Sequence, residues 1–190
     1  TIGAATVTNT TSSYVFDGCT SLESVVFAEG SALTGIGTYT FSGTTALKIV
    51  ELPSTVSIIG NYAFAGSGIE SIAIPDGVKL LGTASASSTT SYSTAGHVFQ
   101  NCANLKTVTF GSDSQLAEIG GYMFSGCTSL ETIELPSKLT KIGSYVFQNC
   151  TSLKEITIPS LVTKIGMYMF SGCESLTSAK LDCVLAVNSN

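Results

Sequence analysis

Phenylalanine recurs at near-constant intervals along this chain of 190 residues. Seven of its nine phenylalanines follow one another at about 23 to 25 residues, with one longer interval of about 35, and each lies in a copy of one phrase. They are Phe16, Phe41, Phe64, Phe99, Phe124, Phe147 and Phe170. A fixed period of about 20 to 50 residues is typical of stacked supersecondary units, because one unit cannot bury its apolar side alone. The spacing therefore predicts a single elongated repeat domain over residues 1–190.

One part of each repeat alternates apolar and polar residues. In the copy KIGSYVFQNCTSLKEITIPS, Ile156 and Ile158 alternate with polar residues. A period of two is typical of a half-buried β-strand, so the isoleucines should face the core and their neighbours the solvent. Pro159 then ends the strand, because proline has no amide N–H to donate to a ladder.

The remainder of each repeat is too short for a long helix. A return of the form L-T-K-I-G follows the strand, and its glycine suggests either a positive φ or a close approach of two backbone segments. This glycine recurs at Gly37, Gly60, Gly82, Gly120, Gly143 and Gly166. The phrase x-Y-x-F-x-x-C then predicts a short helical or 3-10 turn that inserts its phenylalanine into the core. Stacking would give an α/β-type solenoid of about seven repeats of 23 to 25 residues, with a parallel sheet on one face and these turns on the other.

Two irregularities recur three repeats apart. The link after the strand is two residues longer in VVFAEGSALTGIG and VTFGSDSQLAEIG than elsewhere, and both units follow an insertion, at 4–12 and at 83–95. Matching irregularities indicate duplication of a three-repeat block. Both insertions consist almost entirely of Ser, Thr and Ala, which cannot pack a core of their own, so we expect flexible loops at one edge of the solenoid.

The phrases L-x-x-I-x-I-P and I-G-x-x-A-F-x-x-C-x-x-L resemble the BspA-like class of leucine-rich repeats. Gly60, Ala63 and Phe64 match most fully, although Ser67 stands where cysteine is usual. The resemblance covers about residues 13–181 and implies a leucine-rich-repeat solenoid on a bacterial or protozoan surface protein. Members of this class are adhesins and binders of matrix or host proteins without shared catalytic residues, so the resemblance implies protein binding and no enzymatic activity.

Charge and composition exclude several classes of function. The chain has 8 lysines, no arginine and 13 acidic residues, so it lacks the basic surface that nucleic-acid binding requires. No apolar run approaches the roughly 18 residues of a membrane span. The only histidine, His97, stands where six repeats have tyrosine, and no nucleophile phrase accompanies it. We therefore interpret His97 as a substitute for tyrosine and expect neither a catalytic site nor a cofactor.

Five of the six cysteines occupy one repeat position, three residues after the phenylalanine. They are Cys19, Cys102, Cys127, Cys150 and Cys173, and Thr44 and Ser67 fill the other two copies. Stacked strands lie about 4.8 Å apart, within disulfide reach, but their Cβ vectors run parallel. A spacing of about 23 residues does not suit a zinc site, whose ligands come in pairs about two to four apart. We predict a column of buried free thiols, while Cys183 has either a free thiol or a bond to Cys173 or another chain.

Two sets of residues are candidates for contact with a partner. The first is a tyrosine column two residues before each phenylalanine, which would form either an exposed aromatic strip or a seal over the core edge. Its candidates are Tyr39, Tyr62, Tyr122, Tyr145 and Tyr168. The second is the hydroxyl-rich outer face of the sheet, at Thr107, Thr109, Thr132, Glu134, Glu155 and Thr157. In addition, Asn9-Thr10-Thr11 is a sequon for glycosylation.

These features favour a secreted or cell-surface protein that binds other proteins, such as host or matrix proteins, in adhesion. The alternative is a structural protein whose solenoids assemble head to tail or laterally into filaments, because a repeat array without polar caps exposes its ends. The sequence starts within a repeat phrase and ends in LDCVLAVNSN without a charged cap helix. Discrete monomers would favour the first interpretation, and concentration-dependent fibres the second.

Overall fold

The computed structural model describes residues 13–82 and 96–184, which wind into a β-solenoid. Each tyrosine or histidine two residues before a core phenylalanine lies in a turn, here called an aromatic turn. About six coils lie between the first and the last of the seven aromatic turns. The strands are β1 (Gly35–Ile36), β2 (Ile58–Ile59), β3 (Ser71–Ile74), β4 (Leu80–Leu81), β5 (Thr107–Phe110), β6 (Glu118–Ile119), β7 (Lys141–Ile142), β8 (Glu155–Ile158), β9 (Lys164–Ile165) and β10 (Ser178–Leu181). The expected insertions, 4–12 and 83–95, lie outside the described residues, as does Asn9.

The four-residue strands form the sheet that the alternating pattern predicts, here called the long-strand sheet. β3 pairs in parallel with β5, and β8 pairs in parallel with β10. Burial alternates along β3 and β8, since Ile72, Ile74, Ile156 and Ile158 are buried between exposed neighbours. The segment 132–135, between β5 and β8 in the stack, has no strand pairing of its own.

A second parallel ladder, the short-strand ladder, was not expected from the sequence. It consists of two three-stranded sheets, β1-β2-β4 and β6-β7-β9, built from the return segments. The prediction of a parallel sheet on one face only is therefore incomplete. The offset in sequence from the start of β1 to the start of β6 equals the offset from β2 to β7. This equality agrees with the predicted duplication of a three-repeat block.

The aromatic turns are not helical, which corrects the prediction of a helical or 3-10 turn. Among the described residues no helix occurs. Tyr39 has a φ of 56°, in the left-handed region, so a right-handed turn cannot continue through it. Its amide donates to Asn61 O at 3.0 Å, and the Phe41 amide to Ala63 O at 2.7 Å. These amides therefore bind the next coil, where a helix would have turned them toward its own carbonyls.

The expected glycine contacts occur at the end of the short-strand ladder. A Cβ added at Gly60 would lie 2.6 Å from Thr38 N, and one added at Gly143 would lie 2.6 Å from Gly121 N. Gly82 has a φ of +79° as well, and a Cβ added there would lie 2.6 Å from Gly96 Cα. Both reasons given for a glycine here are therefore observed, and Gly82 combines them.

Stacked phenylalanine rings fill the centre of the solenoid. The five inner rings are completely buried, and neighbouring rings of the column have centroids 5.2 to 5.9 Å apart. Phe16 and Phe170, at the two ends, are half-buried. The predicted phenylalanine column is confirmed.

We expect Phe147→Ala to lower the free energy of unfolding by about 3 to 5 kcal/mol, because the neighbouring rings cannot collapse into the cavity. Phe170→Ala is the matched control and should cost less, since one side of its ring faces solvent. Denaturant unfolding of both variants checks this, and a loss below about 1 kcal/mol for Phe147→Ala would contradict the burial of its ring.

Candidate functional site

The outward residues of the long-strand sheet line two open hollows. The first, of about 710 Å³, includes Thr107 and Thr109. The second, of about 860 Å³, is lined by residues of three consecutive coils. Its members among the predicted contacts are Thr132, Glu134, Glu155 and Thr157. All six predicted sheet-face residues are exposed, and the structure brings them together on one face of the molecule.

Both hollows combine neutral and acidic groups. The first contains exposed Ile49 and Ala73 beside the threonine hydroxyls, and the carboxylates of Glu51 and Asp76 also belong to its lining. The second contains the carboxylates of Glu134 and Glu155. Its only lysine, Lys180, forms an ion pair with Asp182 at 2.9 Å.

Most other ion pairs lie along the edge of the long-strand sheet. One repeat position alternates in charge through Glu23, Lys48, Glu70, Lys106, Glu131 and Lys154. Lys106 Nζ donates to Glu70 Oε2 at 2.9 Å, and this hydrogen bond lowers the pKa of Glu70. Lys154 pairs in the same way with Glu131 and lowers its pKa. These lysines are engaged at the edge, so they leave the sheet face without added positive charge.

The tyrosine column forms a continuous stack, here called the aromatic ladder. Its members are Tyr14, Tyr39, Tyr62, His97, Tyr122, Tyr145 and Tyr168. Neighbouring centroids lie 4.4 to 5.1 Å apart, with ring planes within 17° of each other. The inner rings are half-buried, while Tyr14 and Tyr168 are 58% and 61% exposed. The ladder therefore covers the core edge and also presents ring edges to solvent.

His97 takes the place of a tyrosine in the aromatic ladder, as predicted. Its ring lies between those of Tyr62 and Tyr122, at 4.4 and 4.8 Å. Its Nδ1 is 3.0 Å from Gln100 Oε1, and burial lowers its pKa. The sequence showed the position of this ring but not its hydrogen-bond partner.

Every residue of the aromatic ladder has a positive φ, between 46° and 63°. The left-handed conformation costs an L-residue roughly 1 to 2 kcal/mol. Aromatic pairs contribute about 0.5 to 1.5 kcal/mol beyond their buried area, and an inner ring belongs to two pairs. Ring stacking is thus of the right size to offset the backbone strain at each inner position.

The sequence matches the family model for the BspA type leucine rich repeat region in six copies, over residues 9–95 and 85–187. The chain belongs to this family. A leucine-rich repeat protein from Bacteroides ovatus has 25% identity and a TM-score of 0.64 over 89% of the chain. The Treponema pallidum leucine-rich repeat protein has 29% identity and a TM-score of 0.57 over 68%. The chain covers only 57% and 56% of these two proteins, and no curated protein matches it significantly.

The cysteines of this BspA-type solenoid are all free, as predicted for the column. Each inner thiol of the column donates to a phenylalanine carbonyl of the preceding coil, as Cys102 Sγ does to Phe64 O at 2.9 Å and Cys127 Sγ to Phe99 O at 3.1 Å. Cys150 and Cys173 repeat this contact. Burial raises the pKa of Cys102 to about 11 and of Cys150 to about 12, so these thiols stay protonated and unreactive near neutral pH. Cys19, at the first coil, is exposed, which corrects the expectation of burial at that position.

The described part of this BspA-type chain contains no cluster of three or more residues suited to hold a metal ion. Nor does it contain a helix with the length and apolarity of a membrane span. Sequence reasoning missed the rim of the hollows, where Asp76, Phe110 and Asp182 lie. These residues follow or end the strands, where the period-two pattern no longer indicates a direction.

The positive φ of the aromatic ladder leads to a test at Tyr145. Tyr145→Ala and Tyr145→Gly remove the same ring, but only glycine adopts this conformation without strain. We expect Tyr145→Gly to be about 1 kcal/mol more stable than Tyr145→Ala in chemical denaturation. At Thr163, whose φ is not positive, the order should reverse. Equal stabilities of the two Tyr145 variants would contradict a strained backbone there.

The buried thiols predict a loss of stability at alkaline pH. Their folded pKa values exceed the unfolded value of about 8.5, so their contribution is complete below that pH and is lost as the pH rises toward about 11 to 12. Each buried thiol should add a slope of about 1.4 kcal/mol per pH unit in this window. Cys150→Ser should therefore flatten the pH dependence of urea unfolding under reducing conditions. Cys19→Ser, at an exposed position, should leave it unchanged, and an unchanged slope for Cys150→Ser would contradict the argument.

Proposed function

We propose that this chain is a secreted or surface-displayed protein that binds another protein in adhesion, through the outer face of the long-strand sheet. The observation that carries the proposal is the grouping of all six predicted contact residues in two hollows on that face. Strand alternation repeats the same outward positions in successive coils, so the face is broad and continuous along the solenoid.

The shape and chemistry of this face suit a protein partner better than a small molecule. Both hollows are open, whereas small-molecule sites enclose most of their ligand. A specific protein interface buries roughly 800 Å² on each side, and two neighbouring hollows across several coils can supply such an area. Threonine hydroxyls, exposed Ile49 and several carboxylates provide mixed contacts without a deep anchor pocket. We therefore expect a contact of modest affinity that increases with the number of coils engaged.

A binding role is also favoured over an enzymatic one. The His97 ring is held between two tyrosine rings, and its Nδ1 lies at hydrogen-bond distance from an amide side chain, so it is poorly placed to exchange protons with a substrate. The buried thiols Cys102, Cys127 and Cys150 have raised pKa values, which disfavours nucleophilic attack. We propose accordingly that the chain works without catalysis or cofactor.

Surface location and partner class rest on family membership. The BspA-like repeat phrases are typical of surface proteins that bind matrix or host proteins, and we propose the same setting here. The matched structures are longer than this chain, which spans little more than half of each. The partner proposed here is therefore the partner of this repeat segment. Glycosylation at Asn9 remains a prediction from the sequon.

The aromatic ladder is a second candidate surface. Its half-buried inner rings expose their edges, and tyrosine is enriched in protein interfaces. Changing both Tyr122 and Tyr145 to serine should weaken binding without unfolding the chain if the ladder is a contact strip. A clear loss of stability with unchanged binding would assign the rings to sealing the core.

We expect Thr109→Arg combined with Thr157→Arg to weaken binding of a protein partner by at least about tenfold, or about 1.4 kcal/mol. The two large cations would occupy one hollow each, and both positions are exposed, so the fold should persist. Thr163→Arg, an exposed threonine beside the short-strand ladder, is the matched control. Surface plasmon resonance against a panel of purified extracellular-matrix and cell-surface proteins measures the effect. Equal weakening by the control, or none by the double variant, would contradict binding through this face.

A further inference from the structure

The two hollows of the long-strand sheet share one four-residue phrase. Glu-Leu-Pro-Ser occurs at 51–54 and at 134–137, and nowhere else in the chain. The glutamate, leucine and serine of the first copy line the first hollow, and those of the second copy line the second. Each copy lies in the second coil of a three-repeat block, and each hollow extends from there over the next two coils. The two hollows therefore correspond to each other in the two blocks.

Both copies of the phrase lie where the long-strand sheet is interrupted. In the first block, Ile49 forms an isolated bridge with Ser71, and residues 51–53 have no strand pairing. In the second block, segment 132–135 has none either, although β8 resumes the ladder one coil later. The glutamate of each copy is exposed. The same local departure from the ladder thus presents a carboxylate at the start of each hollow.

These two glutamates lack the cationic neighbour that other stacked glutamates have. On the short-strand ladder Glu118 pairs with Lys141 of the next coil, and the sheet edge alternates in sign. Within residues 13–82 and 96–184, neither Glu51 nor Glu134 forms an ion pair. Their neighbours at the same outward position of adjoining coils are Val26, Ala73, Thr109 and Thr157. Uncharged side chains therefore leave both carboxylates available to a partner.

The remaining charges of the two hollows are also mainly acidic. The other carboxylates of the two linings belong to Asp76, Glu155 and Asp182. One lysine lies in these linings, Lys180, and it forms an ion pair with Asp182 at 2.9 Å. The face therefore has a negative field, which is complementary to a basic partner and opposes an acidic one.

The spacing of the two glutamates indicates the form of that partner. Glu51 and Glu134 occupy the same outward position three coils apart, which is about 14 Å at the usual distance between stacked strands. One small cation cannot contact both carboxylates at that separation. In an extended polypeptide, residues four apart point to the same side and lie about 14 Å from each other. In an α-helix four residues span only about 6 Å.

We propose that this face binds an extended basic segment of its protein partner, which lies along the solenoid axis. Two lysine or arginine side chains of the segment, four residues apart, contact Glu51 and Glu134. The residue midway between them lies over Ala73 and Thr109, which are small enough to let the segment approach. This inference rests on the function proposed above, because it specifies the chemistry of the partner that the sheet face accepts.

Two synthetic peptides made of serine, threonine and two lysines test the spacing. In one peptide the lysines are four residues apart, and in the other they are three apart, so that they point to opposite sides of an extended chain. Solution NMR titration of the labelled protein suits such a weak contact. We expect the first peptide to shift amide resonances in both hollows and to bind at least about threefold more tightly than the second. Raising the salt concentration should weaken its binding.

Glutamine variants test the two carboxylates. Glu51→Gln combined with Glu134→Gln should weaken binding of the first peptide at least about threefold. Each single variant should bind the two peptides equally, because the spacing matters only when both carboxylates are present. Glu118→Gln, which makes the same change of charge on the short-strand ladder, is the matched control and should bind like the unchanged chain. All four positions are exposed or half-buried, so the fold should persist, as the NMR spectra would show.

Three results would overturn the inference. They are the absence of shifts at millimolar peptide, equal binding of the two peptides to the unchanged chain, and equal weakening by Glu118→Gln. The proposed function fails separately, through the protein partner and the Thr109→Arg and Thr157→Arg variant. If that variant weakens binding of a protein partner while the peptides show no preference, the sheet face remains the binding surface and the basic extended segment is excluded.

Discussion

Hydrogen bonds between amides of one coil and carbonyls of the next hold the aromatic side of this solenoid together. They require a backbone in which alternate amides point along the axis, as those of Tyr39, Phe41 and Gly43 do. The amides between them close tight turns within the coil, for example Ser42 N to Tyr39 O. This alternation needs left-handed residues at two positions, which are the aromatic residue and the glycine or asparagine four residues later. No helix is then needed to satisfy the backbone, and a coil can close in about 23 residues.

Because each coil repeats the same hydrogen bonds, equal positions lie directly above one another. Rings, thiols and hydroxyls therefore form columns, and within these columns side chains of one kind lie next to each other. Aromatic rings gain from such a contact through stacking, and thiols gain by donating to the carbonyl of the coil before. Charges would lose from it, and the sheet edge avoids repulsion by alternating Glu70, Lys106 and Glu131. The low charge content of the chain is consistent with this constraint.

The sequence predicted those features whose period is visible in the chain. Alternation at Ile156 and Ile158 indicated the direction of the long-strand sheet, and hence the six outward residues of the candidate site. The spacing of the phenylalanines predicted the core, and the spacing of the tyrosines predicted the stack. The family model and the fold of the two similar structures agree with this prediction.

Other features depend on interactions between coils that the sequence of a single repeat does not display. A strand of two residues, such as β7, is too short to show a period, so the short-strand ladder was interpreted as a link. A tyrosine at positive φ contradicts its own conformational preference and is stabilised only by rings in neighbouring coils, which local sequence does not show. The division of the sheet face into two hollows depends on how segment 132–135 departs from the ladder between β5 and β8, and predicting that departure requires the packing of three coils at once.

The proposed binding face runs parallel to the solenoid axis, and this direction has a physical consequence. Each coil adds the same outward positions to the face, because the strands stack in register. A face made of hydroxyls and carboxylates without a deep anchor pocket gives a modest contact at any one coil. A partner that already contacts one coil meets the next one at a high effective concentration. The regular spacing of the coils would thus convert several weak contacts into a firm attachment.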